Sequence, residues 1–479
     1  MSDSKALRSG IGYTIGNILI KGINFLTLPL FSRLLSPEEF GVYNTFVSYD
    51  TILLVILGLA LHTSVRSANL EFRGQIDRYV SSISLLYIGN AVLFLGIVAL
   101  FYRSIANLLA IPPIAVVLLV LGSFSSALIS LYNTRISLDY AYKKYLLVSG
   151  CSSVLNIGVS LVLILTCFRN QRALGRMVGA MVPMFVIALI LLFSMYRREK
   201  PRVDRSYWRF GIGYSLPIIP HGISQVLLAQ FGRIMIRSME GDRPAGIYSL
   251  AGNIRLILTI ITDSIATAWT TWFYDRMDEG DNKGIQKRAI QLMGLFFILT
   301  VGLMALSPEL VFILGGKEYD MAKFVAIPMI LDAFILFLYN VVVPSEYYSK
   351  KTAFIMVGTM VAAVINIALN YIFIQKYGFL VVGYTTLFAY VCYLVLHITI
   401  SYKLVKFFVL PPVWILGVCA ALAGLAAWDL WLIDNLPLRW GMCAVVVIPV
   451  ALLLLRSTGL LKSLVMKKSK TELEESTDE

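Results

Sequence analysis

The sequence predicts an all-α polytopic membrane protein of fourteen transmembrane helices. Two six-helix lobes are related by an axis along the membrane normal, two further helices follow, and both termini are cytoplasmic. Three observations point to this. Of 479 residues, 58% are hydrophobic and 14% charged, against about 25% charged in an ordinary soluble chain. Apolar runs of about 20 residues, each long enough to cross a bilayer, recur from end to end. Motifs of the first half also return in the second half in the same order.

The runs fall near 10–33, 40–65, 80–102, 112–136, 145–168, 175–196, 211–236, 245–274, 288–307, 321–345, 353–375, 379–401, 408–428 and 439–456. The opening MSDSKALRSG lacks a short apolar core with a small-residue cleavage site, so the first run is expected to stay as a span. With the N-terminus inside, cytoplasmic segments hold more than twice as many of the 41 Lys and Arg as the outer segments. The densest cluster is RREKPRVDRSYWR at 197–209. This asymmetry sets the orientation. It also accounts for the net charge of +13 without a nucleic-acid partner. The acidic end TELEESTDE reads as a solvated tail.

The repeats are specific. RSGIGYTI (8–15) returns as RFGIGYSL (209–216), and FGVYNT (40–45) as AGIYSL (245–250). DYAYKKYLLVSG (139–150) returns as EYYSKKTAFIMVG (346–358), and NIGVSLVLI (156–164) as NIALNYIFI (366–374). A repeat of six spans keeps its orientation, which is a plan used by transporters with a midplane site between rocking lobes. The expected division is 1–196 for the N-lobe, 197–210 for a basic linker and 211–407 for the C-lobe. Helices thirteen and fourteen fill 408–456, and 457–479 is the tail.

Ionisable residues inside apolar spans are costly, about 2.5–3.5 kcal/mol each at a helix centre, and mark function by default. Lys21, Asp50, Arg255 and Asp332 stand on four spans, each about 10–12 residues below an outer end. At about 1.5 Å per residue that is one shared depth, about 15–18 Å down. Asp263 lies two turns deeper than Arg255, and Arg233 lies near the outer end of span seven. Thr14, Asn17, Lys21, Asn24 and Leu28 follow helical spacing as a largely polar stripe, and Arg255, Thr259 and Thr262 form a second. Two readings stay open for Lys21: a cavity charge, or a buried pair with Asp50. Arg33, Arg135 and Arg237, near span ends, either tip the cavity positive or anchor the interface. His221 follows Pro217 and Pro220 in SLPIIPHGIS, where span seven is expected to kink or break, and is a candidate proton site.

Other chemistry is sparse. Cys151, Cys167, Cys392, Cys419 and Cys443 are scattered and read as small apolar side chains. Neither metal-ligand spacing nor a phosphate-binding glycine loop is present, and the glycines of GIGYTIG read as helix packing. TWFYDR and EYYSKK read as interfacial aromatic belts. Between the first two spans, Ser36, Pro37 and Glu39 have the spacing of an N-cap, a first-turn proline and a capping box.

The segment PLFSRLLSPEEFGVYNTF (29–46), with GLALHTSVR (58–66) and KYGFLVVGYTT (376–386), resembles the Wzx-type polysaccharide flippases. These belong to the multidrug/oligosaccharidyl-lipid/polysaccharide exporter superfamily. The resemblance implies a non-enzymatic, multi-pass protein of the bacterial inner membrane. It implies movement of an undecaprenyl-diphosphate-linked oligosaccharide from the inner to the outer leaflet by alternating access. The product would feed O-antigen, capsule or exopolysaccharide synthesis, with polymerase and chain-length machinery as downstream partners. Na⁺ or H⁺ coupling is implied, and no other cofactor. On this analogy Lys21 and Arg255, with Asn17, Asn24, Arg33 and Arg233, meet the anionic lipid-linked oligosaccharide. Asp50, Asp263, Asp332 and His221 are the ion-coupling candidates. The arginine-rich first helix of the lipid II branch is absent, which speaks against a peptidoglycan-precursor role. A small-molecule multidrug exporter and a membrane glycan polymerase or ligase are the alternatives. The first needs an acidic cavity, and the second needs a large outer loop with catalytic residues.

Overall fold

A computed structural model describes residues 12–13, 16 and 19–458. The described residues form helices and connecting turns, with no strand among them. Helix α1 covers 19–26 and, after a turn at Thr27, α2 covers Leu28–Leu34. There follow α3 (Pro37–Gly58), α4 (Val65–Glu71), α5 (Ile76–Leu109), α6 (Pro113–Ser137), α7 (Tyr142–Leu165), α8 (Arg172–Arg198) and α9 (Arg205–Ser215). The chain continues through α10 (Ile219–Glu240), α11 (Asp242–Asp278), α12 (Asn282–Gly315), α13 (Ala322–Val342) and α14 (Pro344–Tyr348). It ends with α15 (Thr352–Tyr377), α16 (Val381–Val405), α17 (Pro412–Trp431) and α18 (Leu436–Thr458). Thirteen helices among the described residues are long and apolar enough to cross a membrane. The first expected span, 10–33, lies partly outside the described residues.

The turn after Arg33 forms as the sequence dictates. The Ser36 side chain accepts from the Glu39 amide and the Glu39 carboxylate accepts from the Ser36 amide, each at 3.2 Å. Pro37 opens α3. The same Glu39 carboxylate accepts from the Arg172 amide at 2.9 Å, and the Arg172 guanidinium donates to the Leu34 carbonyl. The cap therefore also fixes the start of α8. Two of the three glycines of GIGYTIG lie among the described residues and serve packing: Gly12 lies against the Tyr142 ring, and Gly16 lies buried against Leu146.

Span two is shorter than expected. Helix α3 stops at Gly58, and Leu59 and Ala60 adopt φ of 47° and 48° before a 3-10 turn at Leu61–Ser64. The Asn90 side chain donates to the freed Leu57 carbonyl at 2.7 Å, which satisfies the helix end. Span seven breaks as its prolines require, through a 3-10 turn at Leu216–Ile218 between α9 and α10.

The chain divides into two compact units. One runs to Leu250 and takes in Leu314–Tyr319 and Thr359–Phe379. The other comprises Ala251–Ile313, Asp320–Gly358 and the chain from Leu380. In the first unit α6 is the most enclosed span, with 72% of its apolar stretch buried. It packs with α5 and α8 around Tyr79, Ile83, Tyr87, Leu128 and Met177. In the second unit α13 is 89% buried, and Phe337 stacks on Phe296. Each unit therefore has one largely enclosed span at its core, α6 in the first and α13 in the second. The buried Arg439 guanidinium ties the start of α18 to α12, through the Ala305 carbonyl and the Glu309 carboxylate.

Candidate functional site

The first unit holds a cavity of about 410 Å³, within the range of small-molecule sites. Helices α1, α2, α3, α7 and α8 line it. Its polar groups include Asn24, Asn44, Ser152, Ser153, Asn156 and Arg176. Among the described residues its lining includes one arginine and no carboxylate.

Arg176 is the centre of this site. Its Nη1 donates to Asn156 Oδ1 and to Ser160 Oγ, both at 2.6 Å. Its guanidinium lies 4.0 Å from the Phe31 ring centroid and 4.8 Å from that of Tyr43, an arrangement that suits a cation. The Nε atom is buried without a hydrogen-bond acceptor in the structure, and a buried unsatisfied donor calls for a partner. Arg233 adjoins the same wall. Its Nη1 donates to Ser48 Oγ at 3.0 Å, to Gln230 Oε1 at 3.1 Å and to the carbonyl of Asn44 at 3.3 Å. The lining itself offers one guanidinium group with several amides and hydroxyls, which is a donor set for an oxyanion and a sugar.

Sequence reasoning missed Arg176, because it stands on the second residue of the expected span and counted as an outer-end charge. One signal was present: Asn156 and Ser160 stand one helical turn apart in an apolar helix, and their repeat counterparts are Asn366 and Asn370. The structure buries these last two, with Asn370 Nδ2 donating to Asn366 Oδ1 at 3.1 Å.

The residues expected from the sequence distribute as follows. Asn24 lines the cavity, and Lys21 and Arg33 are exposed on α1 and α2. Asn17 lies outside the described residues. The Asp50 carboxylate accepts from Ser123 Oγ on α6 at 2.7 Å. His221 Nδ1 stands 3.2 Å from Thr359 Oγ1. Arg135 and Arg237 are both engaged by protein partners near the ends of their helices. Arg135 donates to Asp77 and Asp139, and Arg237 donates to Asp242 and to the Leu109 and Ala110 carbonyls.

In the second unit the structure brings two expected residues together. The Arg255 Nε donates to the buried Asp332 carboxylate, and its guanidinium lies 5.7 Å from the Tyr390 ring centroid. Asp263, further along α11, is exposed. The Arg255–Asp332 pair sets one expectation. Asp332→Ala leaves the Arg255 charge without its carboxylate, and removing one member of a buried pair costs about 3–5 kcal/mol. The double variant Arg255→Met/Asp332→Leu recovers most of that loss in a thermal melt in detergent. If the double variant is as unstable as Asp332→Ala, the pair is not the source of the cost.

Residues 6–275, more than half of the chain, match the family described as polysaccharide biosynthesis protein. The chain belongs to that family. It is 22% identical over 383 residues to the "Lsg locus putative protein 1" of Haemophilus influenzae, across 76% of this chain and 90% of the relative. A second relative from the same organism, an "uncharacterized membrane protein", is 23% identical over 71% of this chain and 83% of its own length. The fold is that of the multidrug/oligosaccharidyl-lipid/polysaccharide exporters. The inward closed structure of the lipid II flippase MurJ superposes with a TM-score of 0.71 at 16% identity, covering 94% of this chain and 99% of MurJ. An inward-facing multidrug resistance transporter of the MATE family superposes with a TM-score of 0.66 at 13% identity, covering 83% of this chain and 98% of its own. This member of the polysaccharide biosynthesis family is thus a multi-pass membrane protein with a transporter fold.

Proposed function

We propose that the protein is a flippase for an anionic lipid-linked oligosaccharide, an undecaprenyl-diphosphate-linked repeat unit bound for O-antigen, capsule or exopolysaccharide. It works in a bacterial inner membrane with both termini cytoplasmic. The observation that carries this reading is the cavity around Arg176: a guanidinium among amides and hydroxyls, with no carboxylate in the described lining. Such a lining suits a diphosphate and a sugar. It disfavours a cationic drug, which needs a carboxylate to offset its charge.

The lobes on this reading are 1–196 and 211–407, joined by the linker 197–210, with 408–456 and the tail 457–479 outside the repeat. Arg176, Arg233 and Asn24 meet the head group, with Lys21, Asn17, Arg33 and Arg255 added as the lobes rock. Asp50, Asp263, Asp332 and His221 are the groups available to Na⁺ or H⁺. Polymerase and chain-length proteins take the product at the outer leaflet. No bond of the substrate is broken, so the proposed activity is transport rather than enzymatic.

Deletion of the gene followed by a leaflet assay tests this directly. Lipid-linked repeat units are expected to accumulate on the cytoplasmic leaflet and to return to the outer leaflet on re-expression. Undiminished outer-leaflet units in the deletion strain would sink the reading.

A further inference from the structure

The second unit contains a buried titratable pair that plays no part in the cavity chemistry. His397 on α16 and Glu346 on α14 are both fully buried, and Nδ1 stands 2.6 Å from Oε1. The outward atoms of both groups, His397 Nε2 and Glu346 Oε2, are buried with no hydrogen-bond partner in the structure. Tyr393 and Tyr339 wall the imidazole edge-on, with ring centroids at 4.4 and 4.9 Å. Gly358 closes the remaining side, where a Cβ would press on Nε2. Beside the pair, the buried Ser345 donates to Ser401 Oγ. Tyr339 on α13, Tyr347 on α14 and Tyr393 on α16 are the other titratable groups facing it, and the exposed Lys351 joins the Glu346 carbonyl through its backbone amide.

The two repeats differ here. Glu346 is the counterpart of Asp139, and Asp139 is half exposed and pairs with Arg135. The first residue of EYYSKK thus turns inward and finds a histidine. A carboxylate paired with neutral imidazole leaves one uncompensated negative charge in an apolar setting, which is costly. One added proton makes the pair an imidazolium and a carboxylate of zero net charge. The unpartnered Nε2 is the atom with a lone pair to take that proton.

We propose that His397 and Glu346 form a proton-carrying site of the transport cycle, loaded on His397 Nε2 and unloaded when α14, α15 and α16 part enough to admit water. Its transport role rests on the flippase reading above; its proton chemistry does not. Binding is the simple uptake of one proton by imidazole, with no bond to carbon changed.

Two measurements test it. The chain has three histidines, so ¹⁵N-histidine-labelled protein in lipid nanodiscs gives three pairs of ring-nitrogen signals, and His397→Gln assigns one pair. In a scan from about pH 5 to about pH 9, the Nε2 signal of that pair is expected to move as the ring gains its proton. Glu346→Gln, which removes the charge that stabilises imidazolium, is expected to lower the proton affinity at least about tenfold. A signal constant across this range, or unmoved by Glu346→Gln, overturns the proposal without touching the flippase reading.

The second measurement uses proteoliposomes with lipid-linked oligosaccharide and an imposed pH gradient. The gradient is expected to accelerate flipping severalfold in the native protein and in Ser401→Ala. Glu346→Gln and His397→Gln are expected to lose that response. A gradient response retained by either variant overturns the coupling role. Absence of flipping in the native protein, with the histidine titration intact, overturns the flippase reading instead.

Discussion

Replacing Arg176 by alanine is expected to abolish glycan export while the protein still folds and inserts. Arg176 Nη1 donates to the Asn156 and Ser160 side chains and, at 3.5 Å, to the Asn156 carbonyl, and a hydrogen bond made by a charged group is worth about 1.5–3 kcal/mol net, so some loss of stability accompanies the change. Substrate binding suffers separately, because removing a desolvated charge from an ionic contact typically loses about 2–5 kcal/mol, or at least about thirtyfold in affinity. Arg176→Lys keeps the charge but not the planar group that sits against Phe31 and Tyr43, and is expected to fall between. Arg135→Ala is the control. It too is buried and paired, with Asp77 and Asp139, but it does not line the cavity. It is expected to lower the melting temperature without changing transport per folded molecule. Normal outer-leaflet delivery by Arg176→Ala would remove the cavity from the mechanism.

What the sequence disclosed follows from which forces are local. The Ser36–Glu39 cap is a contact across three residues, and Pro217 and Pro220 act on their own helix, so both features were readable and both are present. Depth along a helix is also local, which is why Arg255 and Asp332 were placed level and do meet. Partner choice is not local. Asp50 takes a serine from α6, and Glu346 finds its partner in His397, 51 positions away. Arg176 was passed over because an arginine near a span end is ordinarily an interface anchor. What distinguishes it is its setting, Phe31 and Tyr43 beneath it and an acceptor-free Nε, and that depends on three other helices.

Alanine at Gly41 or Gly246 is expected to be among the most damaging single-methyl changes in the chain. The two glycines are counterparts in the repeat FGVYNT/AGIYSL, and the structure sets them against each other. A Cβ on Gly41 would meet the Asp242 carbonyl oxygen, and one on Gly246 would meet the Pro37 carbonyl oxygen. Both obstacles are backbone, so no rotamer can yield and the helix starts themselves must separate. Overpacking that side chains can relieve costs about 1–3 kcal/mol, and here the cost is expected at or above the top of that range. The Arg243–Glu38 bridge joins the same two helix starts but is about half exposed on both sides, and such pairs contribute about 0–1 kcal/mol. Glu38→Gln should therefore change a thermal melt little where Gly41→Ala changes it much. The double variant decides between packing and coincidence. Once one methyl has parted the helices, the second finds room, so Gly41→Ala/Gly246→Ala is expected to cost little more than either change alone. Fully additive losses would mean that the two glycines do not share one crossing.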